Sequence, residues 1–205
     1  MDLAALYSRF PGIADVLRTV SSAAFVLGSI LFLPTMGEDG YLAGVWGYLI
    51  GSLGFLSASL VDDWRAGSVG AQSVGSGLFV LGSIASAPAA VALSPYPALG
   101  LFVAGCVLFL GGAGRPTSQN LCASTGCALF IAGCSLFLPQ LGEHTAGAGL
   151  FIAGSVCFLL DALAAVSHPI LPSERHPERS VQGGEEALRA ESIDGVVDVL
   201  TASPA

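Results

Sequence analysis

The stretch Phe25-Val-Leu-Gly-Ser-Ile-Leu-Phe-Leu33 decides the fold, because variants of it occur six times along the chain. The copies open with Phe25, Tyr48, Phe79, Phe102, Phe130 and Phe151. Three places after each aromatic stands a glycine: Gly28, Gly51, Gly82, Gly105, Gly133 and Gly154. A small side chain follows at once, Ser29, Ser52, Ser83, Cys106, Cys134 or Ser155. Four places after the glycine comes Phe32, Phe55, Phe109, Phe137 or Phe158, and the third copy alone departs, with Ser86.

Each copy lies inside an apolar segment, and the six segments run over 18–35, 42–61, 73–93, 97–113, 121–139 and 146–166. These lengths approach the ~20 residues with which a helix spans the hydrocarbon core. A helix satisfies its own backbone polar groups, which lipid cannot do. Hydrophobic residues make up 53% of the 205 and charged ones only 11%. So few charges cannot clothe a water-soluble surface of this size. The expectation is an all-α polytopic membrane protein with six transmembrane helices. All seven basic residues are arginines: Arg9, Arg18, Arg65, Arg115, Arg175, Arg179 and Arg189. They fall at the termini and in the second and fourth connections, while the other connections carry only Glu38, Asp39, Glu143 and His144. That asymmetry predicts cytoplasmic termini in the cell (inner) membrane. The chain opens Met1-Asp2 without a basic leader, so no secretory signal peptide is expected.

A longer period overlies the short one. Gly28, Gly82 and Gly133 are about 50 residues apart, as are Gly51, Gly105 and Gly154. The pattern predicts three tandem antiparallel hairpin repeats, over 17–65, 71–115 and 121–166. Proline stands six places after the first glycine of every hairpin, at Pro34, Pro88 and Pro139, where it ends a helix before a short turn. Residues 1–16 are expected to form an N-terminal interfacial segment, with Leu3, Tyr7 and Phe10 on one face. Residues 167–205 are expected to be an acidic, largely disordered cytoplasmic tail: from Leu171 on, seven acids face three arginines.

Glycine-serine followed by phenylalanine, twice per hairpin, resembles the YrhK-like family of small bacterial membrane proteins. The first hairpin carries it best, with Phe25-Val-Leu-Gly-Ser-Ile-Leu-Phe, then Trp46-Gly-Tyr-Leu-Ile-Gly-Ser-Leu-Gly-Phe, and Asp63-Trp-Arg at its close. The resemblance implies a helical-hairpin membrane protein, and it carries over no catalytic residue.

The aromatic, the glycine and the second phenylalanine recur at i, i+3 and i+7, one stripe of a helix. Glycine lets a second helix approach closely and phenylalanine fills the space beside it, so the six glycines are read as a helix-packing motif. The competing reading has the stripes lining a central path or a lipid groove. Continued towards the cytoplasmic end, the stripes reach Arg18, Asp62 and Asp161. Asp161 is the deepest of these charges, roughly 10 Å from its glycine. A carboxylate there costs about 2–3 kcal/mol if it faces lipid, so it should face protein or water. These three residues form a candidate polar cluster, either a structural ion pair or a proton or cation site at the mouth of a path.

Other chemistry lacks its markers. There is no nucleophile elbow, phosphate loop or HExxH, and the five cysteines follow no CxxC spacing. Glu143-His144 has no further metal ligands near it in sequence. No catalysis, cofactor or metal is expected, and the net charge of −8 argues against nucleic acid. The expected partners are the lipid bilayer and other membrane proteins or a second copy of the chain. The function expected is a non-catalytic membrane packing or assembly component. The alternative is a small transporter or channel for a small solute or ion.

Overall fold

The computed structural model describes residues 12–113 and 120–167. Most of the expected interfacial segment and all but the first residue of the acidic tail lie outside these residues. The described chain is all-helical. It runs α1 (Ile13–Leu31), a short 3-10 turn (Pro34–Met36), α2 (Gly37–Ala66), α3 (Ala71–Ala85), α4 (Pro88–Leu93), α5 (Tyr96–Ala113), α6 (Leu121–Leu136) and α7 (His144–Ser167). Helix α1 starts at Ile13, so it takes in residues 13–16, which the sequence pattern assigned to an interfacial segment.

The prolines act earlier than the apolar pattern suggests. Helices α1, α3 and α6 each end three residues before Pro34, Pro88 or Pro139. Their C-caps are Phe32, Ser86 and Phe137, four places after the motif glycine in each case. Proline has no N–H to continue the ladder, and its ring pushes the preceding residue out of the helical region. The expected segment 73–93 is therefore two helices. Helix α3 stops at Ala85, and Pro88 then opens the six-residue α4 from its first helical position.

Early termination also limits length. Among the described residues three stretches are long and apolar enough to cross a membrane, where the sequence pattern led us to expect six. They are Ile13–Leu31, Pro34–Ala66 and His144–Ser167. Helices α3, α5 and α6 are apolar but shorter, and α3 and α6, cut off before their prolines, hold only 15 and 16 residues. At 1.5 Å per residue they are about 23 Å long.

The helices pack in pairs that follow the chain, α1 on α2, α3 on α5 across the short α4, and α6 on α7. Contacts of α2 with α3, α5 with α6, and α7 with α1 then close the six long helices into a ring. The core of that ring is aromatic. Phe25, Phe79 and Phe130 form a nearly equilateral triangle, with ring centroids 5.9, 6.0 and 6.3 Å apart. Tyr48, Phe102 and Phe151 pack around it, and all six leading rings are buried. Their large apolar areas and edge contacts favour such a cluster, with each aromatic pair adding about 0.5–1.5 kcal/mol beyond burial.

Candidate functional site

The six glycines meet the partner helix of their own pair. A Cβ on Gly28 would lie 2.7 Å from the ring of Tyr48, and one on Gly51 3.1 Å from the ring of Phe25. The same exchange joins Gly82 with Phe102 and Gly105 with Phe79. It joins Gly133 with Phe151 and Gly154 with Phe130. In every pair, the leading aromatic of one copy fills the notch left by the glycine of the other. The second phenylalanine closes the far side of the ring: Phe32 lies 4.9 Å from Tyr48, Phe55 5.5 Å from Phe25, and Phe158 5.5 Å from Phe130. Where copy three has Ser86, the side chain turns back to donate to the Gly82 carbonyl at 2.9 Å, and its own carbonyl accepts from Tyr41.

The small residue after each glycine points the other way, towards the neighbouring pair. Ser52 Oγ lies 3.1 Å from Ser83 Oγ across α2 and α3, and Ser29 Oγ 3.1 Å from Ser155 Oγ across α1 and α7. The corresponding slots across α5 and α6 hold the buried free thiols Cys106 and Cys134. Ser29 and Ser83 donate back to the carbonyls of Phe25 and Phe79, so these hydroxyls are satisfied without water. Tyr48, with no exposed surface, places its hydroxyl 2.7 Å from Ser29 Oγ. Tyr48→Phe is expected to lower stability by about 1 kcal/mol, because Ser29 keeps its other two partners. Thermal unfolding in detergent checks this.

Towards one end of the ring the polar cluster assembles. Arg18 on α1 pairs with Asp62 on α2 and, at 3.1 Å, with Asp15 one turn earlier on its own helix. Arg65 approaches Asp62 at 3.8 Å. Sequence reasoning missed Asp15, although its spacing of three from Arg18 was the available signal. Asp161 on α7 stands apart from these ion pairs. It accepts from the backbone N–H of Ala123, in the first turn of α6. That helix has no side-chain cap of its own, so Asp161 satisfies one of its open donors from across the bundle.

Arg18 and Asp161 line one cavity of about 100 Å³. Gln72, Ser124 and Ser59 supply its other polar atoms. Its walls are the rings of Phe25, Phe55, Phe79, Phe109 and Phe158. By register, Phe25 lies seven residues beyond Arg18 and Phe79 seven beyond Gln72, so the cavity runs about 10 Å from a polar mouth to an aromatic end. None of the inter-helix serines Ser29, Ser52, Ser83 and Ser155 lines it. Among the described residues no group of three His, Cys, Asp or Glu is placed to hold a metal ion.

These features define a class: an all-helical bundle with an aromatic core, three membrane-length apolar stretches and a charged pocket at one end. Residues 8–62 match the family model for YrhK-like protein, a span that takes in α1 and most of α2, with Gly28, Gly51, Arg18 and Asp62. No curated protein and no solved structure matches the chain.

Proposed function

We propose that the chain crosses the cell (inner) membrane six times as three related hairpins, with both termini cytoplasmic. In this reading it acts as a non-catalytic packing or assembly component, with lipid and other membrane proteins or a second copy as its neighbours. Support for the membrane comes from the outer surface. Val20, Leu27, Ile50, Leu81, Val107 and Leu160 all face outwards and are more than half exposed. Five of the six helices of the ring contribute to that apolar exterior, including the short α3. Helices apolar on all sides belong in lipid or in a much larger core. The shorter α3 and α6 fall several ångströms below the ~30 Å hydrocarbon thickness, a mismatch that local bilayer thinning accommodates at modest cost.

The observation that carries the non-conducting reading is the closed centre. Three mutually packed phenylalanine rings occupy the middle of the ring of helices, and the serines beside them bond to backbone and to each other. A solute path needs polar groups free to replace hydration, and these are engaged. One observation favours the alternative of a small transporter or channel: the cavity behind Arg18 and Asp161 opens at one end.

Two measurements test the proposal. In the full chain freed of its native cysteines, single cysteines replacing Glu38 or Glu143 should react with an impermeant thiol reagent from the periplasmic side. One replacing Ser68 should react only from the cytoplasmic side. All three reacting from one side would sink the six-span reading. Purified protein in liposomes should leave proton, cation and small-solute flux at the level of empty liposomes, and saturable flux of one solute would establish the alternative.

A further inference from the structure

We propose that the cavity lined by Arg18, Asp161 and the phenylalanines is a binding site for a small organic cation of the quaternary ammonium class. Its charge is the first argument. Arg18 and Asp161 are the charged residues that line it: Arg18 is engaged from outside the cavity by Asp15 and Asp62, while Asp161 faces the cavity, accepts from the Ala123 N–H and feels the more distant Arg18 charge. A carboxylate has about four acceptor positions, so that one bond leaves Asp161 most of its capacity. Arg65 offsets only one of the remaining negative charges. An anion would have to compete with two carboxylates for Arg18, whereas a cation completes the balance.

The walls narrow the class further. A hard metal cation needs about six oxygen ligands, and this cavity offers one carboxylate, two serine hydroxyls and an amide among five aromatic rings. Aromatic walls suit a weakly hydrated cation, whose charge is drawn to the negative ring faces. The cavity of about 100 Å³ is open at its polar end, so a headgroup can enter part-way with the rest of the molecule outside. Binding of this kind needs no conduction, because Phe25 and Phe79, which end the cavity, belong to the closed central triangle.

Choline is the probe, with 3,3-dimethyl-1-butanol as the isostere that has the same shape and no charge. Calorimetry would be run on the full chain in phosphatidylglycerol nanodiscs, which contain no quaternary ammonium. Choline should bind saturably at one site, about tenfold or more tighter than the neutral alcohol. Asp161→Asn should weaken choline by a similar factor and leave the alcohol unchanged. Gln72→Glu, which adds a second carboxylate at the mouth, should tighten choline several-fold and keeps the test open if the Asp161 variant misfolds. Adding phosphatidylcholine to the nanodiscs identifies the source: competition points to a lipid headgroup, and its absence to a free solute. Choline binding no tighter than the alcohol, or unaltered in both variants, overturns the proposal.

Discussion

Replacing Gly105 by alanine is expected to lower stability far more than the same change at a helical glycine that faces open space. A Cβ there would stand 2.5 Å from Phe79 Cδ2, 2.7 Å from Cε2 and 3.0 Å from the carbonyl oxygen of Gly75. The carbonyl belongs to α3 and cannot yield without moving that helix. The ring cannot yield either. It is held on its other sides by Phe25, Phe102, Phe109 and Phe130, at centroid distances of 5.3–6.0 Å. Overpacking of this kind costs about 1–3 kcal/mol, and the shared central triangle places this case at the upper end. The sequence supplies its own control. Gly77 and Gly149 are also helical, but a Cβ on either meets nothing within 4 Å. Alanine there should be neutral or stabilising by up to about 1 kcal/mol, from helix propensity alone. Phe79→Leu combined with Gly105→Ala should recover part of the loss, since the smaller side chain vacates the contested space. Thermal unfolding of the four variants in one detergent is the measurement. If Gly105→Ala melts no lower than Gly77→Ala, the notch-and-ring account of the packing fails.

Much of this arrangement was legible in the sequence, for a physical reason. A glycine three residues after an aromatic leaves a notch for close helix approach in an apolar helix, and the regular interval shows that the feature is repeated. The pairing of each glycine with the aromatic of the other copy in its pair was not legible. Both residues lie on the same stripe, and only the antiparallel register brings Gly28 opposite Tyr48 and Gly51 opposite Phe25. The division of labour between neighbouring positions was hidden too. Gly51 and Ser52 are adjacent, yet one faces its own pair and the other the next pair, because successive residues point about 100° apart. The helix ends were misjudged, since hydropathy continues through Leu33 and Leu138 while the hydrogen-bond ladder stops before the proline. For the charged site, Arg18, Asp62 and Asp161 could be placed at one end by counting residues from the glycines. Asp15 was overlooked because it precedes the apolar segment, although the helix runs through it. The cavity was beyond reach, because its lining comes from six helices and its size depends on how closely they meet.

Removing Arg18 should cost more than removing either acid that it holds. Asp15 is 5% exposed. With Arg18→Ala its carboxylate keeps its burial and loses the cation 3.1 Å away, so the desolvation of the charge is no longer offset by that attraction. Losing one member of a buried pair costs about 3–5 kcal/mol. The arginine side chain is 20% exposed, which lets water in and puts the expected loss near the lower figure. Asp62 is different. Its side chain is 38% exposed, and Arg65 also lies within 3.8 Å, so Asp62→Asn should cost less than about 1 kcal/mol. The decisive variant is the double one. If Arg18 serves to neutralise Asp15, then Asp15→Asn in the Arg18→Ala background removes the buried charge and should restore most of the stability. That corresponds to a coupling of about 1–3 kcal/mol. Unfolding of the single and double variants at neutral pH measures it. An Arg18→Ala protein as stable as Asp62→Asn, or a double variant no better than Arg18→Ala, would show that the arginine does not balance the buried acid. Its pairing with Asp62 and its position at the mouth of the cavity would then be what the structure leaves it.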